Sequence, residues 1–457
     1  MRAFLVSLLV AAGAATSAQQ LVQTGPPPEI RALVEGFIQA VNGDDAAWDA
    51  YAQARYAPAY LQAQTPQERA ALHRQIVDRF GIVARGPVRR EGPEGPLEIS
   101  IKGTKAEGVI AVHVDDATFR ITRISLDGSL PGDAAGALPP VPIDRTLSGD
   151  ELTRRLGAYL AGLVRDGVFS GVALVARQGV PVFSQAYGLA DRERQVANTP
   201  RTRFNIGSIN KAFTQIAVNQ LVGEGKLSPA DTLGALFPAY PQPVSRAATV
   251  EQLLSHRGGL ADFFGPAFDA ADKARFASNA DYFAFVGGLP PVFAPGARER
   301  YCNGCYVALG AIVEKVAGMP YERYVAEKIF ARAGMASTGF PRSDQPAPDI
   351  AFGYTRRGPR MSGVAGAPPL VPNVAMHGVV GSAAGGSYST ALDLLAFVNA
   401  AKAGAFPGTR GDMGIAGGAP GTNAVIESSG EWTVIVLSNF DPPTGEDLGT
   451  AIARALR

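Results

Sequence analysis

Cysteine is almost absent from this chain. Two occur in 457 residues, Cys302 and Cys305, set as Cys-Asn-Gly-Cys, which excludes a disulfide-stapled scaffold. The four histidines, His73, His113, His256 and His377, are scattered without metal-ligand spacing and no His-Glu-x-x-His occurs, so no metal is expected. An excess of charge is missing too: 42 basic against 41 acidic residues leave +1, which gives no electrostatic reason to expect nucleic acid as a partner. A neutral small molecule fits better. No stretch after the first residues reaches 18 apolar positions, so a membrane-spanning helix is not expected. A Gly-x-Ser-x-Gly elbow is likewise absent, which argues against a Ser-His-Asp hydrolase of that type.

What is present begins with a targeting signal. Arg2 precedes an apolar run from Ala3 to about Ala15, and Thr16-Ser17-Ala18 offers small residues for cleavage after Ala18. No cysteine follows that site, so the mature protein is expected to be soluble, periplasmic or secreted, with no stable membrane anchor.

The length exceeds what one core serves well, so two folded units are expected. In residues 27–128, Ile30, Leu33, Val34, Phe37, Ile38 and Val41 recur at helical spacing. Thr65-Pro66-Gln67-Glu68 has the order of a capped helix start. Leu97 to Lys102, Gly108 to Val114 and Thr118 to Leu126 alternate as half-buried strands, with Asp115-Asp116 as a turn. Helices followed by a meander make a small α+β unit, which in element order resembles the cone-shaped fold of nuclear transport factor 2-like domains. Residues 129–145, rich in Pro and Gly, read as a linker.

The second unit, 146–457, opens with a helix from about Gly149 to Asp166. A hairpin follows, Ser170 to Ala176 and Val182 to Tyr187, turning at Gln178-Gly179. Asn423 to Glu427 and Trp432 to Ser438 form another hairpin, and Asp447 to Leu456 a closing helix. Strands from both ends of the unit are expected to share one sheet.

Ser208-Ile209-Asn210-Lys211 places a hydroxyl and an amine three residues apart, within reach on one helix face. That spacing alone is common. Here, however, Phe213, Ile216, Ala217, Val218, Leu221 and Val222 leave the helix little polar surface, so Lys211 should lie in low dielectric. Desolvation then disfavours its ammonium and lowers a pKa that is ordinarily about 10.4. The competing reading is a helix-capping serine and a snorkelling lysine. Downstream, Tyr301 and Asn303 are two apart ahead of an apolar helix from about Tyr306 that ends at Gly318. An extended backbone would aim both side chains one way. Tyr301 is then a candidate base if a cation, Lys211, lowers its pKa; otherwise it is a rim aromatic, with Asn303 a helix cap.

Four segments, Phe204 to Lys211, Leu253 to Leu260, Tyr301-Cys302-Asn303 and Gly385 to Thr390, resemble the serine β-lactamase-related family, which includes class C β-lactamases, D-aminopeptidases and SxxK esterases. The likeness runs from about Thr146 to Arg457. It implies an α/β (α+β) β-lactamase/transpeptidase-like fold, an antiparallel sheet flanked by helices beside an all-helical lobe. It also implies cofactor-free acyl-enzyme chemistry on an ester, amide or peptide, with Ser208 as nucleophile, Lys211 and Tyr301 handling its proton, and Asn303 orienting Lys211 or the substrate. The family's third motif, Lys-Thr-Gly or His-x-Gly, aligns with Ile415-Ala416-Gly417-Gly418. Gly417 and Gly418 keep the strand, and the Gly418 N–H can pair with that of Ser208 as an oxyanion hole, but Ile415 removes the group that would grip a substrate carboxylate. The segment from Asp393 to Ile415 is also shorter than the family shows. These departures favour an esterase-like activity on a neutral acyl group; the alternative is a retired member that binds peptidoglycan fragments or a protein. Cys302 and Cys305 read as small buried packing residues, with a short structural disulfide as the alternative. His256 reads as a loop hydrogen-bonder, and Arg257 as a residue that can touch substrate.

Overall fold

The computed structural model describes residues 28–62, 64–90, 96–115, 118–125, 138–345, 347, 349–356, 370–409 and 412–457. The signal, Asp116 of the expected turn, Leu126 and linker residues 129–137 lie outside the described residues. The chain divides into two compact units, Met1–Ser129 and Leu130–Arg457.

In the first unit, helix Pro28–Val41 buries Ile30, Leu33, Val34, Phe37 and Val41. Helix Pro66–Phe80 starts with a capping box in which Glu68 N donates to Thr65 Oγ1 at 3.2 Å and Thr65 N donates to Glu68 Oε2 at 2.7 Å. Four antiparallel strands follow in sequence order, Val83–Arg90, Leu97–Gly103, Glu107–Asp115 and Arg120–Ser125. The first of these strands escapes a reading of the sequence because Gly86 and Pro87 interrupt it, and its register shifts there, between Arg85 and Val88. Helix Asp45–Arg55 is hidden as well: its apolar face is only Trp48 and Ala52.

In the second unit, five antiparallel strands run in the order Met413–Ala419, Thr422–Ser429, Trp432–Ser438, Gly171–Arg177 and Val180–Tyr187. Both ends of the unit thus contribute to one sheet, as expected. Both faces of the sheet are covered. Ala173, Val175, Val434 and Val436 face helices Gly149–Arg165 and Thr444–Leu456, through Leu152, Leu156, Leu448 and Ile452. Val172, Leu174, Ile435 and Leu437, one position out of phase, face the helical lobe built around Phe213, Ile216, Tyr306 and Ile312. A strand buried on both faces shows a continuous apolar run rather than alternation, which is what Val172 to Ala176 present. Ile143, with Leu138 and Val141, packs onto the outer layer, so the stretch read as linker is seated from Leu138 onward.

The helical lobe lies between the two halves of the sheet in sequence. Its helix Asn303–Ala317 is among the most buried, with Tyr306 to Leu309, Ile312 and Val313 all inside, and it ends on Gly318 at φ 68°, a left-handed cap that glycine adopts without a Cβ penalty. Among the described residues no helix is long and apolar enough to cross a membrane.

Candidate active site

Ser208 sits in a single 3-10 turn, Gly207–Ile209, that leads directly into helix Asn210–Gly223. The turn is held from both sides. Ile206 N donates to Ser387 O at 3.0 Å and Gly207 N to Asn205 Oδ1 at 2.9 Å. Gly207 has φ 52°, and a Cβ there would lie 2.9 Å from the backbone of Gly417 and Gly418. Gly417 is equally constrained, since its Cβ would stand 2.1 Å from Ile206 O and 2.7 Å from Ser208 N. These two glycines let the edge strand Met413–Ala419 close against the Ser208 turn.

The structure brings Ser208, Lys211, Tyr301 and Asn303 together. Lys211 Nζ is 3.0 Å from Ser208 Oγ, 2.7 Å from Asn303 Oδ1 and 2.6 Å from the Ala384 carbonyl. The Tyr301 hydroxyl donates to Ser208 Oγ at 2.5 Å. The Ala384 carbonyl has no sequence signature of its own. It is placed by its neighbours: Asn210 Nδ2 donates to the carbonyls of Ser382 and Ala383, both at 3.1 Å, and Thr214 Oγ1 donates to Ala383 O at 2.7 Å.

Burial acts on the amine and the phenol in opposite senses. It disfavours the Lys211 ammonium and brings its pKa down to about 7, against a smaller upward pull from Asp262. The same desolvation pushes Tyr301 well above the ordinary phenol range. This corrects the expectation that Lys211 would lower the tyrosine: near neutral pH Tyr301 keeps its proton and donates, and Lys211 is the group poised to accept one.

Cys302, between Tyr301 and Asn303, is extended at φ −141° and ψ 93°, and both flanking side chains reach the same site. The segment is fastened by His256, whose carbonyl accepts from Arg300 N at 2.9 Å and whose Nδ1 accepts from Cys302 N at 3.2 Å. Its ring stacks on Tyr301 with centroids 4.9 Å apart. Burial, helped by the Lys211 charge, pulls the His256 pKa down to about 4, so the imidazole is neutral and serves as the loop hydrogen-bonder the sequence suggests. Cys302 and Cys305 are both buried and joined as a disulfide, the alternative left open above, and Cys302 rather than Asn303 caps the helix. Arg257 donates to Gly296 O at 2.7 Å and is not among the residues that line the cleft beside Ser208.

A second participant that the sequence does not announce is a side chain. Asp262 Oδ2 accepts from Asn303 Nδ2 at 2.7 Å and its Oδ1 accepts from Phe264 N at 3.0 Å. It follows the Gly258-Gly259-Leu260 loop and reaches the site from 41 residues away, with no local spacing to announce it.

Ser208, Asn303 and Gly418 open onto a cleft of about 1140 Å³, solvent at its mouth included. Phe263, Phe264, Phe268, Phe352, Val379 and Val380 supply much of its wall. Of the lining residues, Arg342 is the one permanent cation among those described, and Asp344 already holds it through two contacts of 2.9 and 2.8 Å. His377 donates Nδ1–H to Gly378 O at 3.0 Å, and burial lowers its pKa. Ile415 does not line the cleft. It shares the strand face of Gly417 and packs on the large apolar cluster of the helical lobe.

The fold is that of a known class. A family model described as Beta-lactamase matches residues 156–413, more than half of the chain, and the chain belongs to that family. PbpX of Bacillus subtilis (strain 168), whose name classes it with penicillin-binding proteins, is 30% identical over 230 residues, covering 50% of this chain and 54% of that one. Protein Rv1367c of Mycobacterium tuberculosis is 31% identical over 254 residues, 51% of this chain and 62% of that one. The chain thus spans about half the length of the curated relatives it matches. A penicillin binding protein from Bacillus halodurans superposes with a TM-score of 0.57 at 26% identity, over 65% of this chain and 99% of that one. EstCE1, described as a hydrolase with promiscuous acyltransferase activity, shares the fold at 19% identity and a TM-score of 0.54, over 67% of this chain and 99% of that one.

Proposed function

We propose that the protein is an exported serine hydrolase that cleaves an ester or amide through an acyl-Ser208 intermediate, more esterase than β-lactamase. The observation that carries the reading is the convergence of a buried amine and a protonated phenol on one serine hydroxyl at the floor of a cleft. Neutral Lys211 takes the Ser208 proton as Oγ attacks the carbonyl carbon. The oxyanion that forms is held by the backbone N–H groups of Ser208 and Gly418. Tyr301 passes its hydroxyl proton to the departing oxygen or nitrogen, and the Lys211 ammonium restores it. A water molecule then gives a proton to Lys211 as its oxygen bonds to the acyl carbon; the acyl–Oγ bond breaks, Lys211 returns that proton to Ser208 Oγ, and the acid leaves.

Export rests on the sequence Met1 to Ala18. A neutral acyl group is favoured by the apolar cleft wall and by Arg342 being tied to Asp344. The family setting includes EstCE1 and a structure of D-amino acid amidase from Ochrobactrum anthropi, which makes ester and amide cleavage the activities to compare. The retired-member reading draws on Ile415 at the third-motif position, but it gives no reason for Ser208, Lys211, Tyr301 and Asn303 to stay assembled. Turnover of short-chain aryl esters, D-amino acid amides and a chromogenic cephalosporin, measured in parallel, tests the proposal: ester turnover should lead, and cephalosporin turnover ahead of every ester would overturn the esterase assignment.

A further inference from the structure

We propose that Asp262 is a positioning residue of this site: its carboxylate fixes the direction of the Asn303 amide and, through it, the direction of the Lys211 lone pair. The inference rests on the acyl-serine reading above.

The argument is one of donors and acceptors. An ionised carboxylate only accepts, so the Asn303 group 2.7 Å from Asp262 Oδ2 is the amide NH₂. The amide oxygen must then face Lys211, 2.7 Å away. That oxygen and the Ala384 carbonyl, 2.6 Å from Nζ on another side, also only accept. A neutral amine has two N–H bonds and one lone pair, and these two oxygens take both N–H bonds. The lone pair is left with Ser208 Oγ, 3.0 Å away, which in this state donates its proton to Nζ while accepting from Tyr301. With the Asn303 amide reversed, an N–H would point at Nζ and occupy the lone pair, leaving no base for Ser208. Asp262, which touches neither Ser208 nor Lys211 by hydrogen bond, therefore decides whether the amine is a base.

Asp262 is anchored by the N–H groups of Phe264 and Asn303, at 3.0 and 2.7 Å. Burial raises its pKa, while the N–H donors of Phe264 and Asn303 and the charges of Lys211 and Arg300 oppose that rise. The other titratable groups around the pair are Tyr301, which senses Asp262, His256, which senses Lys211, and Tyr306, whose ring lies 5.5 Å from Nζ.

The test compares wild type, Asp262→Asn and the exchange variant Asp262→Asn/Asn303→Asp in rate of Ser208 labelling by a fluorophosphonate across pH. Asp262→Asn, nearly isosteric, is expected to slow labelling roughly 10- to 100-fold by letting the amide reverse, and to move the acid limb of the profile below that of wild type because an anion near Lys211 is lost. The exchange variant returns an acceptor oxygen to Lys211. It is expected to label faster than Asp262→Asn, with its acid limb above that of wild type because the anion is now adjacent to the amine. If Asp262→Asn does not fold, the exchange variant carries the test alone through that upward shift. A folded Asp262→Asn with wild-type rate and pH midpoint, or an exchange variant that is unlabelled or unshifted, overturns the role given to Asp262. Wild type that takes no label overturns the acyl-serine reading itself, and this inference with it.

Discussion

Lys211 lies against the ring of Tyr301, its amine 4.6 Å from the ring centroid, and both side chains reach the same Ser208 oxygen from different sides. One desolvated pocket thus holds an amine that gives up its proton easily and a phenol that keeps it. The assignment of base to Lys211 and donor to Tyr301 follows from that opposition, and it can be separated experimentally.

Labelling or turnover should rise with pH through an acid limb near 7, where Lys211 becomes neutral. The sign follows from the base role: below that pH the amine is charged and cannot accept the serine proton. Lys211→Arg is expected to cost about 10²- to 10⁴-fold in kcat/KM and to abolish the limb, because a guanidinium does not deprotonate in this range. A retained limb near 7 in the folded variant would assign the titration to another group.

Tyr301→Phe removes the hydroxyl donated to Ser208 and leaves the ring in place. Its rate should fall by about 10²- to 10⁴-fold, while the acid limb stays near 7. Were Tyr301 the base, its loss would remove the limb.

Gly417→Ala places a methyl group against Ile206 O and Ser208 N, both backbone atoms that cannot rotate away. The edge strand must retreat. We expect a stability loss on the order of 1–3 kcal/mol in denaturant titration, together with a loss of Ser208 labelling larger than that destabilisation accounts for. Gly430→Ala is a control for strand-end glycines, since a Cβ there meets nothing within 4 Å, although its φ of 56° adds some backbone strain.

The Cys302–Cys305 disulfide closes a loop only three residues in sequence separation, so chain entropy assigns it roughly 2 kcal/mol at most. Changing both to Ser should lower the unfolding free energy by no more than that, read as a lower denaturant midpoint at unchanged slope. Because Tyr301 and Asn303 flank Cys302, labelling should slow as well; unchanged labelling would show that His256 alone suffices to hold the segment.

Much of the site can be read in the chain because its pieces are local. Ser208 and Lys211 are one helical turn apart, and Tyr301 and Asn303 are two residues apart, so short spacing carries their geometry. The two apolar hairpins likewise announce one sheet with strands from both ends of the unit. What stays hidden depends on distant contacts: Asp262 arrives by a loop, Ala384 contributes a backbone carbonyl that any residue could offer, and the strand Val83–Arg90 is disguised by Gly86 and Pro87. The direction of the Tyr301 pKa could not be read either. A nearby cation and burial pull it oppositely, and only packing shows that burial prevails.

The most direct test of the account is the intact mass of the folded protein after incubation with a fluorophosphonate, with peptide mapping of any adduct. We predict one adduct on Ser208 in wild type, formed faster as pH rises through 7, and none in Ser208→Ala. Folded wild type that stays unmodified, or an adduct on any other residue, would contradict it.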